Sequence, residues 1–101
     1  MKTIINKETG LKDGAGFMNR GDLLIIALEN PPQGGFTPSI MKARLNVQNK
    51  IEAAKGEDIK LENAEFATLK AAYTESKWTA MHKDIAELET HLVEEVAKQP
   101  D

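Results

Sequence analysis

The chain has 101 residues, of which 41% are hydrophobic and 29% charged, with a net charge of −3 and no cysteine. This length and balance predict one globular domain rather than a disordered chain, and the lack of cysteine excludes disulfides, zinc–thiolate sites and a thiol nucleophile. No apolar run approaches the roughly 20 residues that a membrane-spanning helix needs, so we expect a soluble protein of the cytoplasm with no membrane partner.

Charge is distributed unevenly along the chain. Residues 37–55 carry four basic residues against Glu52 alone, a net charge of +3. Residues 83–101 carry two lysines against six acids, a net charge of −4. The basic and acidic segments can pair with each other, or one of them can face a partner.

Two segments predict β-strands. Residues 2–6, KTIIN, are β-branched and short. Residues 22–29, DLLIIALE, are apolar on both faces, which is typical of a covered strand. A buried helical turn is the competing interpretation of that run, but the run is short and is bounded by glycine and proline. The glycine-rich residues 7–21 between the two strands predict a loop or an irregular hairpin arm.

The segment PPQGG, residues 31–35, ends the second predicted strand because Pro31 and Pro32 lack amide donors. Thr37 followed by Pro38 has the form of a helix N-cap with proline in the first turn. A phosphate-binding loop is the alternative interpretation, but the segment has no lysine and Pro38 removes a free amide. We therefore interpret it as a connector between a strand and a helix.

Three helices are predicted at about residues 38–54, 63–74 and 77–97. A brief extended segment around Ile59 and Leu61 separates the first two helices. The third has the clearest periodicity, with apolar residues spaced three, four, three and four apart. Its stripe consists of Trp78, Met81, Ile85, Leu88 and Leu92.

Together these elements predict a single α+β domain over residues 1–101, with a strand-and-loop arm at 1–36 and a helical part at 37–101. A small two-stranded antiparallel sheet packs against the three helices. Because an edge strand at residues 22–29 can pair across a two-fold axis, we also expect a homo-oligomer.

A metal or catalytic site has little support in the sequence. Glu87, His91 and Glu95 are four residues apart and share a helix face, but the Glu-x-x-His motif of di-metal bundles is missing. A solvated acidic face accounts for this spacing. No two residues form a recognisable catalytic pair, so we expect neither enzymatic activity nor a cofactor.

Partner binding is the remaining class of function. Trp78, Met81, Ile85 and Leu88 are the candidates for packing or docking, because tryptophan and apolar helix stripes are enriched at interfaces. Lys42 and Arg44 are the candidates for charged contacts. The alternative function is a nucleic-acid-associated regulator that uses the basic first helix, and the net negative charge argues against it.

The order GGFTPSIMKARLNVQNKIEAA, then IKLENAEFATLKAAY, then KWTAMHKDIAELETHL resembles small accessory proteins encoded in tailed phages and prophages, over residues 34–92. The shared features are a glycine turn, a helix, a helix start of the form L-E-x-A and a final helix led by tryptophan. The resemblance implies no catalytic residues. It implies a small protein that binds another protein, either in virion assembly or as an inhibitor of a host component.

Overall fold

The computed structural model describes residues 1–100, and it confirms the α+β class. In chain order the elements are β1 (Lys2–Ile4), β2 (Glu8–Asp13), β3 (Gly16–Asn19), α1 (Arg20–Glu29), α2 (Pro38–Ala53), β4 (Ile59–Leu61), α3 (Asn63–Glu75), α4 (Lys83–Thr90) and a π-helical turn (His91–Val96) that continues α4.

The strands form two separate antiparallel pairs. β1 pairs with β4, with Thr3 opposite Lys60, so the partner of β1 is the short extended segment around Ile59 and not residues 22–29. β2 and β3 form a hairpin, which agrees with the hairpin arm predicted for the glycine-rich segment. The hairpin turns at Gly14, whose φ of +66° favours glycine.

The predicted strand at residues 22–29 is wrong, because this segment belongs to α1. Asn19 caps the helix: its side chain accepts a hydrogen bond from the Asp22 amide at 3.0 Å, and the Asp22 carboxylate accepts one from the Asn19 amide at 3.0 Å. This reciprocal pair is a capping box. The edge strand that was expected to pair across a dimer therefore does not exist.

α1 is apolar on most of its surface because it lies at the centre of the molecule and packs against both α2 and α3. Leu24 and Ala27 are fully buried. The complete core draws on every helix and on the β1–β4 pair. Its buried apolar residues are Ile4, Leu23, Leu24, Ala27, Leu28, Val47, Ile51, Ile59, Leu61, Phe66, Leu69, Ala72, Tyr73, Leu88, Leu92 and Val96.

The helices predicted at about residues 38–54 and 63–74 are confirmed as α2 and α3. α2 begins where Thr37 accepts a hydrogen bond from the Ile40 amide at 3.2 Å, with Pro38 in its first turn. The PPQGG segment connects two helices rather than a strand and a helix. It turns through Gly34 and Gly35, whose φ values are +90° and +88°, and the Gly35 amide donates to the Pro32 carbonyl at 2.8 Å.

The final helix begins later than predicted. It starts at Lys83, where the His82 ring accepts a hydrogen bond from the Asp84 amide at 3.1 Å, so Trp78 and Met81 precede it. α3 ends at Glu75, where the Ser76 hydroxyl donates to the Ala72 carbonyl at 2.7 Å. Residues 76–82 between these two helices form an irregular connector.

Candidate functional site

The connector between α3 and α4 brings together three of the predicted partner-binding residues. Trp78, Met81 and Ile85 line an open depression of about 420 Å³, together with His82. We call Trp78, Met81, His82 and Ile85 the connector surface. Trp78 and Met81 reach this place from the connector and not from a helix stripe, and Leu88, which was predicted with them, does not line the depression.

A ring contact and a hydrogen bond connect residues that line the depression. The Trp78 ring packs on the Tyr73 ring with centroids 5.6 Å apart and planes tilted by 53°. The Tyr73 hydroxyl donates to the Ile85 carbonyl at 2.7 Å, so it ties α3 to the first turn of α4. Burial raises the pKa of the Tyr73 hydroxyl far above its usual range, and the Glu89 carboxylate acts in the same direction. Tyr73 therefore remains a protonated hydrogen-bond donor.

Met81 is the most exposed large apolar residue of residues 1–100, with an exposed fraction of 102%. Trp78 and Ile85 beside it are only partly covered by the core. A thioether side chain is flexible and polarisable, so it adapts to a partner surface of irregular shape. Met81 is thus an exposed apolar side chain beside two partly buried ones at the edge of the depression.

The hairpin holds the rim of the connector surface in place. The Asp84 carboxylate accepts a hydrogen bond from the Gly10 amide of β2 at 2.8 Å, and its Oδ2 lies 3.5 Å from the His82 Nδ1. A Cβ atom at Gly10 would lie 3.2 Å from that same oxygen, so a larger residue here would require the carboxylate to shift by a few tenths of an ångström. The connector surface is thus supported by α3, by α4 and by the hairpin.

The remaining predicted partner-binding residues lie elsewhere. Leu88 is fully buried and belongs to the core. Lys42 is exposed on α2, whereas Arg44 is only 8% exposed and its Nη1 donates to the Leu28 and Asn30 carbonyls at 3.1 and 2.7 Å. Because Arg44 is committed to the protein's own backbone and Lys50 of the same helix pairs with Glu65 at 2.8 Å, α2 is less basic at its surface than the sequence indicates. The nucleic-acid alternative stays a prediction.

The PPQGG segment borders a second, larger groove of about 720 Å³, lined also by Arg44 and Glu75. An anion in this groove would meet the Glu75 carboxylate as well as Lys77. It would also find the Nη1 of Arg44 already bonded to two carbonyls. We therefore keep the connector surface as the candidate site.

The predicted acidic face of the last helix contains a buried histidine. His91 is 4% exposed; its Nε2 accepts a hydrogen bond from the Ile5 amide at 3.1 Å and its Nδ1 donates to the Glu95 carboxylate at 2.6 Å. The hydrogen bond from His91 lowers the pKa of the Glu95 carboxyl. Both ring nitrogens are thus engaged, and within residues 1–100 no cluster of three metal-ligating side chains is present.

Comparison of the chain with models of protein families, with curated proteins and with solved structures found no match. Within residues 1–100, no helix has the length and apolar character needed to cross a membrane.

Proposed function

We propose that the protein is a non-enzymatic binding module that docks a protein partner on the connector surface. The observation that carries this proposal is the full exposure of Met81 beside the partly covered Trp78 and Ile85, at an open depression where the Trp78 ring packs on Tyr73. Aromatic residues and methionine are enriched at protein interfaces. A tryptophan at the centre of such a surface supplies much of the binding energy when a partner excludes water from it.

The way the surface is built also supports docking. Tyr73 is fixed by its hydrogen bond to Ile85, and the Asp84 carboxylate holds the hairpin at the rim. A surface ordered before binding loses little conformational entropy when a partner arrives. The resemblance of residues 34–92 to small phage accessory proteins favours a partner from a virion or from an infected host cell.

The proposal is tested by capture from a host-cell lysate with tagged wild-type protein and two matched variants. Met81→Asp places a charge in the middle of the connector surface, and we expect the captured partner to be lost. Met41→Asp is the control, because Met41 is an exposed methionine on α2, 46% exposed and outside the connector surface. Quantitative mass spectrometry of the three samples identifies the protein that depends on Met81.

Both variants should retain the circular dichroism spectrum of the wild type, because both side chains are exposed. A partner that Met81→Asp captures as well as the wild type does would contradict the proposed docking surface. A partner lost equally with Met41→Asp would place the contact on α2 instead.

A further inference from the structure

One charged side chain at the edge of the connector surface has no partner. Glu89 lines the same depression from α4 and is exposed. Within residues 1–100, its carboxylate makes no ion pair and no hydrogen bond. By contrast, the carboxylates of Glu94 and Glu95 in the π-helical turn that follows pair with Lys98 and His91. The depression therefore has a carboxylate that a binding partner can reach.

Glu89 continues the face of α4 on which Ile85 lies. Residues four apart in a helix are neighbours on one face, so Glu89 comes one turn after Ile85. The Tyr73 hydroxyl donates to the Ile85 carbonyl at 2.7 Å. Burial raises the pKa of this hydroxyl, and the negative charge of Glu89 raises it further. The charge of Glu89 is therefore felt at the place where Tyr73 and Ile85 line the depression.

Within residues 1–100, no cation of the chain offsets this charge in the depression. Lys77 lines the neighbouring groove, and Lys83 does not line the depression. The His82 Nδ1 accepts a hydrogen bond from the Asp84 amide at 3.1 Å, so the ring has no positive charge in this arrangement. The charge that a partner meets at the connector surface is therefore negative.

This carboxylate restricts the chemistry of a partner that covers the depression. A carboxylate that loses water without gaining a counter-ion or a hydrogen-bond donor is costly, so a purely apolar segment fits poorly. A lysine or arginine of the partner replaces the lost water with an ion pair, and an acidic segment is repelled. The same charge disfavours the phosphates of a nucleic acid. Charge complementarity thus selects a protein segment that carries a basic residue.

The apolar part of the depression lies at the start of α4. Ala80 and Ala86 line it with small side chains, which leave room for an apolar side chain of the partner beside Trp78. From the cap residue His82 to Glu89, the helix rises by about 10 Å, at roughly 1.5 Å per residue. A partner covers this distance with about three residues of extended chain or about seven residues of helix. We call this separation the anchor-to-base spacing.

We propose that the connector surface binds a protein segment that has an aromatic or long aliphatic residue and, at the anchor-to-base spacing, a lysine or arginine. The apolar side chain packs on Trp78 and Met81, and the basic group pairs with Glu89. This inference rests on the proposed function and adds the chemistry of the partner to it. Because Glu89 is exposed, we expect the ion pair to strengthen binding by up to about fivefold.

The first test selects peptides from a random displayed library on the immobilised full chain and on three variants. We expect the wild type to enrich peptides that combine the apolar anchor with a basic residue at the anchor-to-base spacing. Glu89→Gln should keep the apolar preference and lose the basic one, whereas Met81→Asp should select none of these peptides. Glu87→Gln is the matched control and should select as the wild type does, because Glu87 is exposed on α4 but does not line the depression.

The second test measures the ion pair with one selected peptide that lacks tryptophan. Trp78 is the only tryptophan of the chain, so its fluorescence reports occupation of the depression directly. The wild type should bind the peptide up to about fivefold more tightly than a form whose basic residue is replaced by methionine. This difference should disappear in Glu89→Gln and shrink as salt is added.

The inference and the proposed function fail in different ways. If the selected peptides depend on Met81 but show no preference for a basic residue, or keep that preference in Glu89→Gln, the docking surface stands and the inference about its partner is wrong. If Met81→Asp selects the same peptides as the wild type, or the wild type selects no shared sequence, the proposed function fails and the inference fails with it. Circular dichroism checks that each variant is folded.

Discussion

Arg44 closes the corner between α1 and α2. The last carbonyls of a helix have no partner within the helix, and Arg44 donates to two carbonyls at the end of α1, those of Leu28 and Asn30. Its guanidinium carbon lies 5.4 Å from the centre of the Phe36 ring, within the range of a cation–π contact. A positive charge at this end of α1 also complements the helix dipole. Arg44 thus joins the two helices and the connector between them.

Replacing Arg44 should weaken the fold without touching the connector surface. We expect Arg44→Met to lower the free energy of unfolding by about 1–3 kcal/mol, because two carbonyls lose a charged donor. Urea denaturation followed by circular dichroism measures the change. Lys42→Met on the exposed side of the same helix is the control, with an expected change within about 0.5 kcal/mol. Equal losses in the two variants would show that the Arg44 hydrogen bonds contribute nothing measurable.

α1 shows how one helix can organise the fold around it. Its start is determined by the capping box of Asn19 and Asp22, and its end by Asn30, whose amide donates to the Ile26 and Ala27 carbonyls directly before Pro31. Between these ends, Leu23, Leu24, Ala27 and Leu28 are buried. The helix is therefore defined by local caps at both ends and stabilised by packing along its length.

The capping box can be tested directly. We expect Asn19→Ala to lower the free energy of unfolding by about 0.5–2 kcal/mol, because the Asp22 amide loses its acceptor at the first turn of α1. Asp13→Ala, at the exposed end of β2, should have little effect. Both values come from urea unfolding curves. An unaffected Asn19→Ala protein would mean that packing alone determines where α1 begins.

At the scale of the whole molecule, one ion pair joins the basic α2 to α3. Lys50 Nζ lies 2.8 Å from the Glu65 carboxylate, which also accepts hydrogen bonds from Asn46 at 2.7 Å and from the Glu62 amide at 2.8 Å. The Lys50 hydrogen bond lowers the pKa of the Glu65 carboxyl below its ordinary value of 4.5, and the Glu62 amide and Asn46 act in the same direction. Glu65 therefore joins α2 to the start of α3, and the charge of its carboxyl group depends on the pH of the solution.

The stability of the molecule should depend on this carboxylate in acid. A carboxyl whose pKa is lower in the folded state than in the unfolded state stabilises the fold above its unfolded pKa, and this stabilisation is lost as pH falls through the folded pKa. We expect Glu65→Gln to melt at a lower temperature than the wild type at pH 7, and the difference to shrink as pH falls below 4.5. Thermal melts of both proteins across this pH range measure the difference in melting temperature.

Glu52→Gln provides the comparison, because Glu52 is exposed on α2. This substitution should leave the pH dependence of the melting temperature as it is in the wild type. A gap between Glu65→Gln and the wild type that stays constant from neutral to acidic pH would contradict the assignment of this pH dependence to Glu65.

Caps, turns and short apolar runs predicted much of the fold, because each acts within a few residues and can be recognised in the sequence alone. Thr37 and Pro38 mark the start of α2 in the sequence and in the structure. The β-branched residues at 2–6 contain β1, and the glycine-rich arm forms the hairpin. Of the four apolar residues predicted for packing or docking, Trp78, Met81 and Ile85 lie together at the depression, whereas Leu88 lies in the core.

Other features of the fold depend on contacts between parts of the chain that are far apart in the sequence. A segment buried on most sides, such as α1, loses the periodicity that distinguishes a helix from a strand, and its helical form is evident only in the structure, where the Asn19–Asp22 capping box begins it. Trp78 lies outside α4, which begins at Lys83 after the His82 cap, and its ring packs on Tyr73 of α3.

The sequence by itself determined the composition class, the helix α2 and the proline and glycine break that precedes it. Only the tertiary structure decided which charges are exposed, since Arg44 is committed to carbonyls 14 and 16 residues away. It also decided that Gln99 is bonded to β1, through hydrogen bonds to Thr3 across 96 positions of the chain. Such partners are chosen by packing of the whole chain, and nothing in the residues next to them specifies the contact.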